Sequence, residues 1–133
     1  MVVRLFNFPI FWKVQKQKIV TRASTHAEYY ALADCVSELL PIKNFLAELN
    51  LNVDSPSPII YEDNSGALCL GKNGKFSKNS KHIDISVHFV SDFVKKGIVA
   101  LQKVDSSENS ADLLTKALGS NKHIRFRTDL RII

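Results

Sequence analysis

Three carboxylates in this sequence share a placement. Glu28, Asp63 and Asp112 each fall in or beside the first turn of an expected helix, and Asp63 also follows directly on an expected strand. Taken singly, each has a structural role: Glu28 closes a capping box with Thr25, Asp63 caps a helix opening at Ser65, and Asp112 complements a helix dipole two residues after Ser110. Taken together they imply chemistry. If the strand before Asp63 and the starts of the two other helices meet at one end of a sheet, three anions converge. Their repulsion is relieved by a hard divalent cation, and a set of oxygen ligands suits Mg²⁺ or Mn²⁺. Acidic clusters of this kind in a basic protein fit metal-assisted cleavage of phosphodiesters.

Two other constellations are weaker. His82, Asp84 and His88 contain zinc-ligand types, but on a helix 84 and 88 share a face that 82 does not, so a cap at Asp84 and packing or substrate contact for the histidines is preferred. Ser24, His26 and Asp34 have the residue types of a hydrolase triad without a nucleophile elbow. Lys72, Lys75, Lys78 and Lys81 surround Asn73, Asn79 and Ser80 in one loop region, which suits phosphate contacts without base reading; the alternative is a solvated basic loop.

The elements that position these residues come from a chain of 133 residues, 45% hydrophobic and 23% charged, the balance of one globular domain. Disorder and collagen-like repeats are excluded. The longest apolar stretch, 5–12, is broken by Asn7 and Pro9 and is far shorter than the roughly 20 residues of a membrane helix. No signal-peptide pattern follows Met1, and Cys35 and Cys69 lie among apolar neighbours, so buried thiols in a reducing, intracellular compartment are expected. Eighteen Lys+Arg against 13 Asp+Glu give a net charge of +5, which favours a polyanionic partner.

Residues 2–12 and 18–21 read as two strands joined by a hairpin. Ala27, Ala31, Cys35, Leu39, Ile42, Leu46 and Leu49 draw one stripe of a long helix, which Pro41 should kink or restart. A loop, 50–58, leads to a strand, 59–61, and to a helix closed between Gly71 and Gly74. A further helix ends at Gly97, a strand covers 98–104, a helix covers 111–118, and the basic tail 123–131 adds a short helix. This order predicts a mixed α/β sheet covered by helices, with 59–61 parallel to 98–104.

Five strings now resemble a known family: Phe11-Trp12-Lys13 with Lys16-Gln17, Ala23-Ser24-Thr25-His26-Ala27-Glu28-Tyr29-Tyr30-Ala31-Leu32, Ile60-Tyr61-Glu62-Asp63-Asn64-Ser65-Gly66-Ala67, Ser80-Lys81-His82-Ile83-Asp84-Ile85 with His88-Phe89, and Ala111-Asp112-Leu113-Leu114-Thr115-Lys116. In order and in spacing the chain resembles the ribonuclease H domain at the C-terminal end of copia-type retrotransposon Pol polyproteins. The resemblance implies an RNase H-like α/β fold, a five-stranded mixed sheet of three antiparallel then two parallel strands, flanked by helices. It implies hydrolysis of RNA in RNA–DNA hybrids with two Mg²⁺ (or Mn²⁺) ions, with Glu28, Asp63 and Asp112 as three of four acidic ligands. It also implies that Asn64 and His82, with the lysines, contact nucleic acid, and that the reverse transcriptase domain of the same polyprotein is a partner. The implied location is the cytoplasm, in virus-like particles, or the nucleus, with no membrane association.

One departure is evident. The family's first strand, which carries an aspartate that serves as the fourth ligand, has no counterpart before Val2. A single, N-terminally truncated domain is therefore expected, its sheet lacking the first, central strand, with impaired activity and an apolar edge open to self-association. Alternative readings are a non-catalytic remnant that binds nucleic acid or reverse transcriptase, and a truncated reading frame without a selected role.

Overall fold

The computed structural model describes residues 1–16, 24–51, 57–74 and 81–132, and for 81–87 the backbone. The chain is mixed α/β and divides into two compact units, Ile19–Val104 and Met1–Lys18 with Asp105–Ile133.

In the first unit, the parallel pairing expected from the alternating element order is present. Strand β3, Ile59–Glu62, pairs in parallel with β4, Ala100–Lys103, in the register Ile60 to Leu101 and Glu62 to Lys103. The two-residue period of a strand turns Ile60 and Glu62 inward and leaves Ile59 and Tyr61 exposed. The crossover is made by α2, Ser65–Asn73, and α3, Lys81–Lys95. Helix α1, Ser24–Glu48, packs against both of them.

The core joins Tyr29, Leu32 and Val36 of α1 to Ile60, Leu68, Val90, Val99 and Leu101. This face of α1 is turned by one residue, roughly 100°, from the expected stripe: Ala31 is exposed, while Cys35 and Leu39 sit half-buried at the core margin. The large side chains at 29, 32 and 36 offer more apolar area than Ala27, Ala31 and Cys35, and that difference decides the face. Burial pushes the Cys35 thiol up to about 11, whereas Cys69, expected to be buried, is exposed. Pro41 lies inside α1, which is assigned as one helix with no restart.

Packing is tight where α2 crosses the sheet. A Cβ placed on Gly71 would stand 2.6 Å from Leu101 Cδ1, so a larger residue there must push the end of the Leu101 side chain aside. Gly74 ends α2 in the left-handed region, at φ 62°, with its N–H donating to the Leu70 carbonyl. Gly74→Ala should cost about 1 kcal/mol from backbone strain, and more where its Cβ meets Ser91 Oγ, 2.7 Å away. A melting temperature lowered by a few degrees in calorimetry is the expected result.

In the second unit, the stretch expected to be a single strand is itself a hairpin. Strands β1, Val2–Leu5, and β2, Phe8–Trp12, pair antiparallel across a two-residue turn in which Phe6 and Asn7 have φ of 49° and 66°. Positive φ at both central positions is the type I′ turn, whose twist matches that of the strands. Asn7 tolerates this region readily and phenylalanine rarely does, so the sequence carries only half of the usual signal. The strand expected at 18–21 falls outside the described residues.

Arg4 ties this hairpin to the tail. Its guanidinium donates to Asp129 and to Ser110 Oγ at 2.6 Å, holding the Asp129 carboxyl below its ordinary range. Asp129 ends α4, Ser120–Asp129, the expected tail helix beginning a little earlier. Among its described residues, Val3, Phe126 and Leu130 are the buried apolar ones. Where a helix over 111–118 was expected, a 3-10 turn, Ser110–Leu114, stops at Thr115. Asn109 caps it by accepting from the Ala111 N–H, and a turn this short needs no continuing apolar stripe.

Among the described residues the strands therefore form an antiparallel pair and a parallel pair, each a separate two-stranded sheet. This mixed α/β arrangement is consistent with the RNase H-like fold that the resemblance implies. No described helix is long and apolar enough to cross a membrane.

Candidate metal centre

The parallel pair positions the chemistry. β3 ends at Glu62, the chain turns through Asp63, and Asn64 caps α2 by accepting from the Ala67 N–H at 3.0 Å. Asn64, not Asp63, is thus the cap, and Asp63 is released from the structural role its position suggested. Helix α1 begins at Ser24, so Thr25 lies inside it rather than at a capping box, and Glu28 stands in the second turn.

Glu28, Glu62 and Asp63 come together: one carboxylate oxygen from each lies within 4.8 Å of the others. They gather at the carboxyl end of a parallel strand, where the chain leaves the sheet and α/β proteins place their ligands. Glu62 is the buried member, at 8% exposure, because it shares the inward face of β3 with Ile60. Its carboxylate accepts from the Asn64 N–H at 2.9 Å. Burial pushes Glu62 up to about 7, the charges of Glu28 and Asp63 add to the rise, and the Asn64 N–H and Lys103 oppose it. The Lys103 ammonium donates to the Asp63 carbonyl, which pins the strand end across the β3–β4 register.

This donor set fits a small hard cation. Ligands of an octahedral Mg²⁺ stand about 3 Å apart when adjacent and about 4 Å when opposite, so oxygens within 4.8 Å of one another share one ion by drawing in by up to about 2 Å. All three donors are carboxylates, and their mutual repulsion is the feature that a divalent charge removes.

The structure thus brings together Glu28 and Asp63 of the three expected acids, and adds Glu62. Asp112 lies in the other unit, buried in the 3-10 turn, with Lys116 Nζ 2.8 Å from one carboxylate oxygen and Lys122 Nζ 3.8 Å from the other. Of the basic loop, Lys72 is exposed at the end of α2, while Lys75 and Lys78 fall outside the described residues. Lys81 and His82 form the first residues of α3, their side chains outside the description together with that of Asp84, and His88 is exposed on the same helix.

Glu62 went unnoticed in the sequence although a signal was present. A strand 59–62 that turns Ile60 inward must turn Glu62 inward as well, and an inward carboxylate at a strand end calls for a partner.

The chain is similar to three Pol polyproteins of plant transposons. It is 38% identical over 132 residues, 99% of its length, to the retrovirus-related Pol polyprotein from transposon RE2 of Arabidopsis thaliana. It is 37% identical over 131 residues, 98% of its length, to that from transposon RE1 of the same plant. Against the retrovirus-related Pol polyprotein from transposon TNT 1-94 of Nicotiana tabacum it is 35% identical over 121 residues, 89% of its length. The match covers 9% of each of these relatives. No family model and no solved structure matches the chain. Identity of 35–38% across most of its length makes the chain a homologue of one short segment of the retrovirus-related Pol polyproteins of copia-type transposons.

Proposed function

We propose that the chain is a ribonuclease H-type module that hydrolyses the RNA strand of RNA–DNA hybrids with Mg²⁺ or Mn²⁺. The observation that supports it is the meeting of the Glu28, Glu62 and Asp63 carboxylates at the end of β3. Glu28, Asp63 and Asp112 are the ligands that the sequence resemblance implies, and Glu62 stands beside Glu28 and Asp63. When bound, the cation activates water and neutralises charge on the phosphodiester. The protein supplies position: Asn64 holds α2 and the Glu62 carboxylate in one turn, and Lys103 fixes the Asp63 backbone. Lys72 and its neighbours in the basic loop hold phosphates, and the reverse transcriptase domain of a Pol polyprotein is the proposed partner.

Since the chain spans 9% of its relatives, cleavage is best assayed both in the chain alone and in the chain joined to the stretch that precedes the matching segment in a relative. A labelled RNA–DNA hybrid should be cut by the joined form in Mg²⁺ or Mn²⁺ and spared in chelator. Asp63→Asn should reduce the rate by about a hundredfold or more. Hybrid that is bound but left intact by both forms would overturn the catalytic reading and leave a binding remnant.

A further inference from the structure

A buried carboxylate beside other carboxylates must be answered by a positive charge or by a proton. Glu62 is in that position. Its side chain is more than nine-tenths buried, one oxygen accepts from the Asn64 N–H at 2.9 Å, and among the described residues no donor reaches the other oxygen. A Glu62 oxygen lies within 4.8 Å of one from Glu28 and one from Asp63, and all three residues belong to the unit Ile19–Val104. The buried acid thus faces two further anions with one of its oxygens unanswered.

Asp112 is also buried, but its charge is already met. Lys116 Nζ stands by one of its oxygens and Lys122 Nζ by the other, both from the unit that contains Asp112. Drawing Asp112 onto a metal would first break pairs that hold a buried charge, and that step is costly. Charge counting leads the same way. The Lys103 ammonium donates to the Asp63 carbonyl, and its field reaches Glu62. Together with one divalent cation it sets three positive charges against the three carboxylates of the cluster. A second divalent ion, on the order of 4 Å from the first, would leave a surplus of two positive charges with little solvent to screen it.

We infer that the chain holds a single divalent ion with Glu28, Glu62 and Asp63 as its direct ligands, and that Asp112 is not among them. This rests on the metal-dependent reading proposed above and changes its ligand set: Glu62 takes the place that the sequence resemblance gives to Asp112. Every donor then comes from residues 19–104, two of them from the end of β3 and its turn and one from α1. Lys103 completes the charge balance from the neighbouring strand.

Mn²⁺ alone is the probe, because its paramagnetic resonance signal counts free and bound ions with no substrate present. The full chain, titrated at pH 8 so that Glu62 is ionised, should bind one Mn²⁺. Glu62→Gln keeps the shape of the side chain and still accepts from the Asn64 N–H, so it removes a charged ligand and leaves the turn intact. Its Mn²⁺ affinity should fall by at least the roughly tenfold that loss of even an outer partner of a metal ligand costs. Asp112→Asn should bind one Mn²⁺ with the affinity of the parent. Melting temperatures in chelator establish that each variant is folded, and the number of ions in the parent depends on neither variant. Equal affinity in Glu62→Gln and in the parent would overturn the assignment while the metal-dependent reading stands. So would two ions in the parent of which Asp112→Asn loses one. A parent that binds no Mn²⁺ would remove the reading and the assignment together.

Discussion

Millimolar Mn²⁺ or Mg²⁺ should raise the melting temperature of the chain on the order of 5–10 °C, and Asp63→Asn should abolish most of that rise. A cation that binds only the folded state adds RT ln(1 + [L]/Kd), about 2.7 kcal/mol when present at a hundredfold excess over Kd. For a chain of this size each kcal/mol moves the midpoint by a few degrees. The specificity of the test lies in the cluster: Glu28, Glu62 and Asp63 repel one another until a divalent charge joins them, and Asp63→Asn removes both a ligand and part of the repulsion. The variant should therefore start somewhat more stable in chelator than the parent and gain little from metal. Glu28→Gln should behave alike. A metal response in Asp63→Asn as large as in the parent would place the cation elsewhere.

In chelator, stability should fall as pH rises from about 5 to 8, the opposite of what an ordinary salt-bridged carboxylate gives. Glu62 is pushed up to about 7 in the folded chain, so the folded state holds its proton more tightly than the unfolded state, whose glutamate titrates near 4.3. Its contribution is fully present below the unfolded value and is lost as pH rises through the folded one. The difference amounts to about 2–3 kcal/mol between the two ends of that window. Glu62→Gln carries a neutral group of the same shape, so its melting temperature should be flatter over this range and exceed that of the parent at pH 8. Parallel pH profiles for parent and Glu62→Gln, measured by calorimetry in chelator, would reject this origin.

The parts legible in the sequence are those where local chemistry and tertiary packing agree. Gly74 and Gly97 both adopt positive φ where helices were expected to stop, and the strand–helix–helix–strand order between 59 and 103 required the parallel crossover that is present. Glu28 and Asp63 could be paired because each sits beside the end of an element that the crossover brings to one side. Features that packing alone decides were not legible. The buried face of α1 was misplaced by one residue because small residues at 27, 31 and 35 keep helical spacing as regularly as the large ones at 29, 32 and 36. The turn at Phe6 and Asn7 was hidden because a phenylalanine at positive φ is held by the strand pairing around it and not by its own preference. The helix expected over 111–118 is shortened to a 3-10 turn by the cap at Asn109 and the stop at Thr115, two local hydrogen bonds that hydrophobic spacing does not report.

The register of β3 with β4 also sets when the centre can exist. Ile59 pairs with Ala100 across roughly forty intervening residues, so the chain must close a long loop before the strand end that carries Glu62 and Asp63 is fixed. The hydrogen bonds of helices α1 and α2 are local, whereas the β3–β4 pairing is non-local and waits on loop closure. Glu28 and Asp63 precede Lys103 in the chain, so the bond from Lys103 to the Asp63 carbonyl is made after both are synthesised. A chain interrupted between Asp63 and β4 would carry all three cluster carboxylates without the strand pairing that fixes the end of β3.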